Sequence, residues 1–177
     1  IDGDAQIFNF ITRDEGVTWF ASEKYKKDTL APYELWTWGY NLKGALGQNS
    51  DTQYSSAVQI SGTTWHMVAP ISGSYAGASA IKSDGTMWSW GDGTYGLLGL
   101  GSQNQFSSPV QVGTDENWIA LNAGGKQKIA TKTDGTLWIW GYNAEGGMGQ
   151  NNRTTQESPV QIGTGTDWGK TPRTMVG

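Results

Sequence analysis

The 177-residue chain contains no cysteine. That removes disulfides, thiol nucleophiles and thiolate metal sites in one step. Histidine is nearly absent as well. His66 stands alone, too little for a two-histidine metal site, and it leaves room for one Ser-His arrangement at most. It lies beside Trp65, where the next copy of the repeat described below has Ile119, so it reads as an ordinary strand residue. No metal and no cofactor is expected. Apolar runs are short: none approaches the ~20 residues of a membrane span, so no membrane insertion is expected. Residues 1–10 lack the basic start and long apolar stretch of a secretion signal. Basic residues are scarce too, 12 against 16 acids for a net charge of −4, with acids in excess on both sides of residue 34. Nothing here attracts a phosphate backbone, and nucleic acid is not an expected partner.

Glycine and tryptophan are abundant instead, at 26 and 10 residues. Glycine is about twice its usual share. Disordered chains are glycine-rich but poor in aromatics. Ten tryptophans beside the glycines predict many tight turns joining short, well-buried strands.

A repeat orders these residues. Leu35-Trp36-Thr37-Trp38-Gly39, Met87-Trp88-Ser89-Trp90-Gly91 and Leu137-Trp138-Ile139-Trp140-Gly141 recur at spacings of 52 and 50. Trp65, Trp118 and Trp168 keep the same beat at 53 and 50. So do Ser56-Ala57-Val58-Gln59-Ile60, Ser108-Pro109-Val110-Gln111-Val112 and Ser158-Pro159-Val160-Gln161-Ile162. Glycine pairs recur at 44/47, 96/99 and 146/149. Four markers in one register make chance similarity improbable.

Each unit reads as strands. Ala80-Ile81-Lys82-Ser83 and Ile129-Ala130-Thr131-Lys132 lead into Asp84-Gly85 and Asp134-Gly135, the signal for a two-residue hairpin turn. In the strand that follows, the two tryptophans at i and i+2 share one face, and Leu35, Met87 or Leu137 takes the other. A strand apolar on both faces must be covered on both. About four short strands fall in each unit of about 51 residues, with no convincing helix. Small sheets of that kind are stable when stacked around an axis, as in a propeller.

The pattern Ala-x-x-x-Asp-Gly-x-Leu-x-x-Trp-Gly-x-Asn-x-x-Gly-x-Leu-Gly resembles the repeat of the regulator of chromosome condensation. It runs from Ala80 to Gly99 and from Ala130 to Gly149, with a first copy entering at Leu35. The resemblance covers about residues 34–168 and implies a β-propeller, of seven blades in that family. The doubled tryptophans of Trp-x-Trp-Gly-Tyr-Asn resemble repeat proteins of bacteria and tailed phages more than the eukaryotic nucleotide-exchange factor. The family's Gly-x-x-His before the hairpin is missing at Gly73 to Ala76 and at Gly124 to Gln127. The post-Gly asparagine is kept as Asn41 and Asn143 and replaced by Gly93. No exchange activity is carried over.

The expected fold is therefore all-β: a partial β-propeller of about three four-stranded blades with a non-repeat N-terminal segment. Residues 1–33 are that segment, and 34–177 are the repeats, cut at about 34–85, 86–135 and 136–177. A seven-blade ring would need roughly 350 residues. Within 1–33, the alternation of Ile7 to Ile11 predicts a strand, either an edge that completes a blade or an arm that docks on a partner. The core is expected to hold Trp36, Trp38, Trp65, Trp88, Trp90, Trp118, Trp138, Trp140 and Trp168. Burying one tryptophan contributes at most about 4–6 kcal/mol, so open blade faces should be covered by another copy of the chain, the N-terminal segment, a capsid or tail neighbour, or further blades beyond this sequence.

Catalytic chemistry finds little support. Asp84 and Asp134 suggest a carboxylate pair for glycoside cleavage, but turn formation already explains them. Gly44-Ala45-Leu46-Gly47 recurs in every unit, which makes it a fold feature rather than a phosphate loop. The best binding candidates are the variable, amide-rich loops that follow: Gln48, Asn49 and Asp51; Gln103, Asn104 and Gln105; Asn151, Asn152 and Arg153. Amides and hydroxyls suit glycan or protein surfaces. The expected function is non-catalytic: a structural or binding module of a phage virion, in tail, fibre or capsid decoration, working in protein–protein assembly or host attachment. The alternative is a glycan-binding lectin or adhesin, extracellular or at a cell surface; a glycoside hydrolase is a weaker third reading. Expected partners are other copies or other virion proteins, with a cell-surface glycan or receptor as the further candidate.

Overall fold

The computed structural model describes residues 5–12, 16–23, 33–71 and 75–169. Among the described residues there are eleven strands: β1 (Ala5–Thr12), β2 (Gly16–Glu23), β3 (Tyr33–Gly39), β4 (Tyr54–Ile71), β5 (Gly77–Lys82), β6 (Met87–Gly91), β7 (Phe106–Gln111), β8 (Trp118–Ala123), β9 (Gln127–Lys132), β10 (Leu137–Gly141) and β11 (Gln156–Gln161). All pairings are antiparallel. The seven strands β1 to β7 form one sheet in chain order, and β8 to β11 form a second.

The seven-stranded sheet is two blades joined by one strand. The first half of β4 pairs with β3 through Leu35↔Ile60 and Thr37↔Val58. Its second half pairs with β5 through Val68↔Ala80 and Pro70↔Ala78. Blade 1 is thus β1, β2, β3 and residues 54–60; blade 2 is residues 65–71, β5, β6 and β7; blade 3 is β8 to β11. The strand expected over 7–11 lies within β1, and β2 pairs with β3 through Trp19↔Trp38. Each unit cut from the sequence at the tryptophan doublet straddles two blades, because the doublet is the third strand of its sheet.

Linker length explains the continuous strand. From Ile60 to Trp65 there is one residue fewer than from Val112 to Trp118 or from Ile162 to Trp168. The shorter link stays within one continuous strand, although Gly62 in it also has positive φ (+102), while the longer one leaves the strand at Gly113, φ +63.

The Asp-Gly hairpins differ from the two-residue turn the sequence suggests. Lys82 N–H donates to Thr86 O (2.9 Å) and Gly85 N–H to Lys82 O (2.9 Å), which encloses three residues. Only the glycine has positive φ, +82 at Gly85 and +83 at Gly135. This is a type I turn closed by a left-handed glycine. Asp84 Oδ1 selects it by accepting from Thr86 N (2.9 Å) and Thr86 Oγ1 (2.6 Å), and Asp134 repeats this with Thr136. These hydrogen bonds, led by the threonine hydroxyl, hold both carboxyls below their usual range. The glycine also admits the next linker: a Cβ on Gly85 would stand 2.0 Å from Glu116 O.

The core lies between blades. Leu35 and Ile60 of blade 1 pack against Trp65, Ala78, Ala80 and Trp90 of blade 2. Ala69, Ile81 and Met87 of blade 2 pack against Trp118, Leu121, Ala130 and Trp140 of blade 3. Trp90 Nε1 donates across the first interface to Ala45 O (3.0 Å), and Trp140 Nε1 across the second to Leu97 O (3.1 Å). The second tryptophan of a doublet therefore locks its blade to the Gly-x-x-Gly turn of the blade before.

The nine tryptophans expected in the core divide into three groups. Trp65, Trp90, Trp118 and Trp140 are buried, and Trp36, Trp38, Trp88 and Trp138 are half-buried. Trp88 and Trp138 are held at groove rims by Lys82 and Lys132, and Trp36 and Trp38 lie on the face of β3 turned away from blade 2. Trp168 is 47% exposed and is not a core residue. Its N–H binds Gly135 O (3.1 Å) just as Trp118 N–H binds Gly85 O (3.1 Å). The backbone position is thus conserved between the copies. Trp118 is covered by Trp138 and Lys132, however, and no described residue does this for Trp168.

Candidate binding surfaces

Loops gather at the two ends of the blades. One end carries the Asp-Gly turns and the links between blades. The other carries the Gly-x-x-Gly turns with the amide-rich loops behind them. Asn41 and Asn143 build these loops: Asn41 Nδ2 donates to Ser50 O and Thr52 O (both 2.8 Å) while its Oδ1 accepts from Leu46 N (2.8 Å). Asn143 does the same with Asn152 O, Thr154 O and Met148 N. In the middle copy the loop backbone comes so close that a Cβ on Gly93 would stand 2.0 Å from Asn104 O. Asparagine cannot fit there.

Much of the expected binding set is engaged within the fold. Gln48 Nε2 donates inward to Thr37 Oγ1 (3.1 Å) and Val58 O (3.3 Å). Asn49 N–H crosses to Ser107 O of blade 2 (2.7 Å), and Gln105 Nε2 returns to Asp51 Oδ1 (3.2 Å). Gln103 Nε2 reaches Glu157 Oε1 of blade 3 (2.8 Å). Asn152 serves the turn of its own loop through Thr154 N (2.9 Å). Asn104, Asn151 and Arg153 are exposed. The loops act first as fasteners between blades.

Two features escape the sequence reading. A tyrosine cluster on the loop end joins Tyr75, Tyr95 and Tyr142, with ring centroids 5.5 and 4.7 Å apart and Lys126 Nζ 4.8 Å from the Tyr142 ring. The Tyr95 hydroxyl, through a side-chain hydrogen bond, raises the Tyr75 phenol above its ordinary range. Beside the cluster, Lys43 of blade 1 pairs with Asp92 of blade 2 (3.0 Å). Burial raises the Asp92 carboxyl, but hydrogen bonds from Thr94 and the Lys43 ammonium outweigh it and leave it below the usual range. The second feature is a groove at each blade interface, lined by Trp65, Trp88 and Lys82 in the first case and by Trp118, Trp138 and Asp115 in the second.

The rim of blade 3 differs from the rims of its neighbours. Ile129 and Trp168, 37% and 47% exposed, hold the positions at which Ser79 and Trp118 are buried in blade 2 and at its junction. Asn151 matches Asn49 and Gly101, whose N–H groups bind Ser107 O and Glu157 O of the next blade (2.7 and 2.9 Å). Among the described residues no carbonyl accepts from Asn151. Leu137 and Ile139 on the same face are buried, and Gly169 lies against Thr131.

Among the described residues no group of three or more His, Asp or Glu side chains is placed to hold a metal, and no helix is long and apolar enough to cross a membrane.

Residues 84–130 match the regulator of chromosome condensation (RCC1) repeat. Similar curated proteins include the mouse E3 ubiquitin-protein ligase HERC2, 31% identical over 110 residues, which are 60% of this chain and 2% of that protein. The Arabidopsis thaliana ultraviolet-B receptor UVR8 is 27% identical over 98 residues, 54% of this chain and 22% of the receptor. The chain thus spans a small part of each. Among solved structures, Prp20p of Saccharomyces cerevisiae, reported with its binding to Gsp1p and histones, superposes with a TM-score of 0.68 at 16% identity, over 89% of this chain and 38% of that one. Human WBSCR16 gives 0.66 at 20% identity, over 92% and 39%. The repeats are of the RCC1 type, and the fold is the propeller fold of these structures.

Proposed function

We propose that this chain is a non-catalytic binding module whose third blade docks face to face with a further blade, supplied by a second copy, by a neighbouring structural protein or by a continuation of the same polypeptide. The observation that carries this reading is the rim of blade 3. Its Asn151 N–H, Ile129 and Trp168 repeat the positions that join blades inside the chain, and all three residues are exposed. Fastening blades also occupies most of the amide-rich loops, which favours assembly over glycan capture. Prp20p, which carries the same fold, is reported to bind Gsp1p and histones, so a propeller of this kind is compatible with protein partners. The setting we propose is the virion of a tailed phage, in tail, fibre or capsid decoration. The doubled-tryptophan form of the repeat supports that setting.

Light scattering of the full chain at about 20 μM should show an assembly larger than the monomer, or one that forms on adding the neighbouring structural protein. Ile129→Lys should disperse it and leave thermal unfolding nearly unchanged, since the side chain is exposed. A monomer at that concentration that binds neither a neighbour nor an apolar dye would overturn the docking reading.

A further inference from the structure

The two inter-blade grooves are built from equivalent residues but finish differently. In the groove between blades 2 and 3, Lys132 Nζ lies 4.6 Å from the Trp118 ring centroid and 3.9 Å from that of Trp138. It ends on a carboxylate, Asp115 Oδ2, at 2.9 Å. In the groove between blades 1 and 2, Lys82 Nζ is held the same way, 5.0 Å from Trp65 and 3.9 Å from Trp88. No carboxylate completes it among the described residues.

The linker makes the difference. Residues 112–118 include Asp115, whereas 60–65 is one residue shorter and has no acid. The groove left open has a volume of about 610 Å³ against about 340 Å³ for the one Asp115 helps to line. The hairpin carboxylates do not account for the contrast. Asp84 and Asp134 are bound alike to Thr86 and Thr136. An ammonium carries three N–H donors, so one held over indole rings still has a donor to offer an acceptor that enters the groove.

We propose that the groove between blades 1 and 2 is a docking site for an aspartate or glutamate side chain of a protein partner, received by Lys82 between Trp65 and Trp88. The occupant is chosen by internal precedent. The equivalent lysine is satisfied by a carboxylate carried on a polypeptide link, Gly113 to Asn117. Gln59 lines this groove, as Gln111 lines the second. This deepens the protein-binding reading but uses a different surface from the rim of blade 3. Ile129→Lys should leave it intact, so the two can fail separately.

The test is a titration of the full chain with the free peptide acetyl-Gly-Thr-Asp-Glu-Asn-amide, followed by NMR at the tryptophan indole N–H groups. The Trp65 and Trp88 signals should shift and saturate with a Kd on the order of 1 mM, ordinary for a single exposed charge contact. The same peptide with Asn and Gln in place of its acids should not shift them, a control that needs no variant. Lys82→Gln should weaken binding by about tenfold or more, Lys82→Arg should retain it, and Lys132→Gln should not affect it. Inserting an aspartate after Thr63 should close the groove and abolish binding. The proposal is overturned by equal binding in Lys82→Gln, by equal binding of the amide peptide, by no shift at all, or by a response to glucuronate and not to the peptide.

Discussion

Replacing Trp140 with alanine is expected to lower the unfolding free energy by about 3–5 kcal/mol. Trp140 is fully buried between blades 2 and 3, packed with Met87, Leu121 and Ala130. Truncation leaves a large void in a core that is otherwise close-packed. It also strands the Leu97 carbonyl, which accepts from Trp140 Nε1 at 3.1 Å. Trp140→Phe separates the two effects, since it keeps most of the ring and loses the donor, and should cost about 1–3 kcal/mol. Trp168→Ala is the contrast. The sequence treats Trp168 as one more copy of Trp118, but its exposure limits the expected change to about 0.5 kcal/mol. Urea unfolding followed by far-ultraviolet circular dichroism reads all three through the midpoint, with the slope unchanged. If Trp140→Ala lost no more than Trp168→Ala, the interlocking of blades through the doublet would be wrong.

Periodicity carried the fold. The spacing of Trp36, Trp88 and Trp138, the Asp-Gly hairpins and the alternation along each strand are local signals, and the strands stand where they point. What joins one blade to the next was harder to see. Trp88 and Trp90 share a face of one strand, and only the neighbouring blade makes one a rim residue and the other a core residue. Gln48 and Gln105 look alike as amides in polar loops. The first turns inward to Thr37 and the second crosses to Asp51, a choice made by backbone geometry 54 residues apart in the latter case. The hairpin turn departs from the two-residue form because Asp-Gly suits two turn types, and the Thr86 and Thr136 hydroxyls decide between them. The loss of one residue between Ile60 and Trp65 was countable in the sequence. Its consequence, an uncapped Lys82, needed the position of Asp115 in three dimensions. Lys128 gave no warning either, since it stands where blade 2 has Ala78, on a strand whose other lysine, Lys132, is held at the rim.

That lysine should make stability rise with pH above neutrality. Lys128 shares a face of β9 with Ala130, turned toward blade 2, and it is fully buried. Its Nζ donates to Ser79 Oγ, which in turn shares a hydrogen bond with Ser89 Oγ. Two hydroxyls replace little of the hydration an ammonium loses, and no carboxylate faces it among the described residues. Burial pushes Lys128 down to about 7 from its ordinary value near 10.5. In the window between these values the unfolded chain binds the proton and the folded chain does not. Stability therefore increases with pH, by at most about 1.4 kcal/mol per unit, and levels off below about 7 where both states are charged. Lys128→Met removes the titration while filling similar space, and Ser79 and Ser89 keep each other as partners. It should stabilise the protein by about 1–3 kcal/mol at pH 7, with the advantage shrinking toward zero by about pH 9.5. That range stays below the Tyr75 phenol, whose raised value would reverse the trend in stronger base. Paired urea titrations of the two proteins at half-unit steps from pH 7 to 9.5 read the difference directly, so contributions common to both cancel. A constant difference across that range would mean that Lys128 stays charged in the folded protein. The interface between blades 2 and 3 would then have to admit water to the ammonium, rather than stand as the dry contact that Trp140 requires.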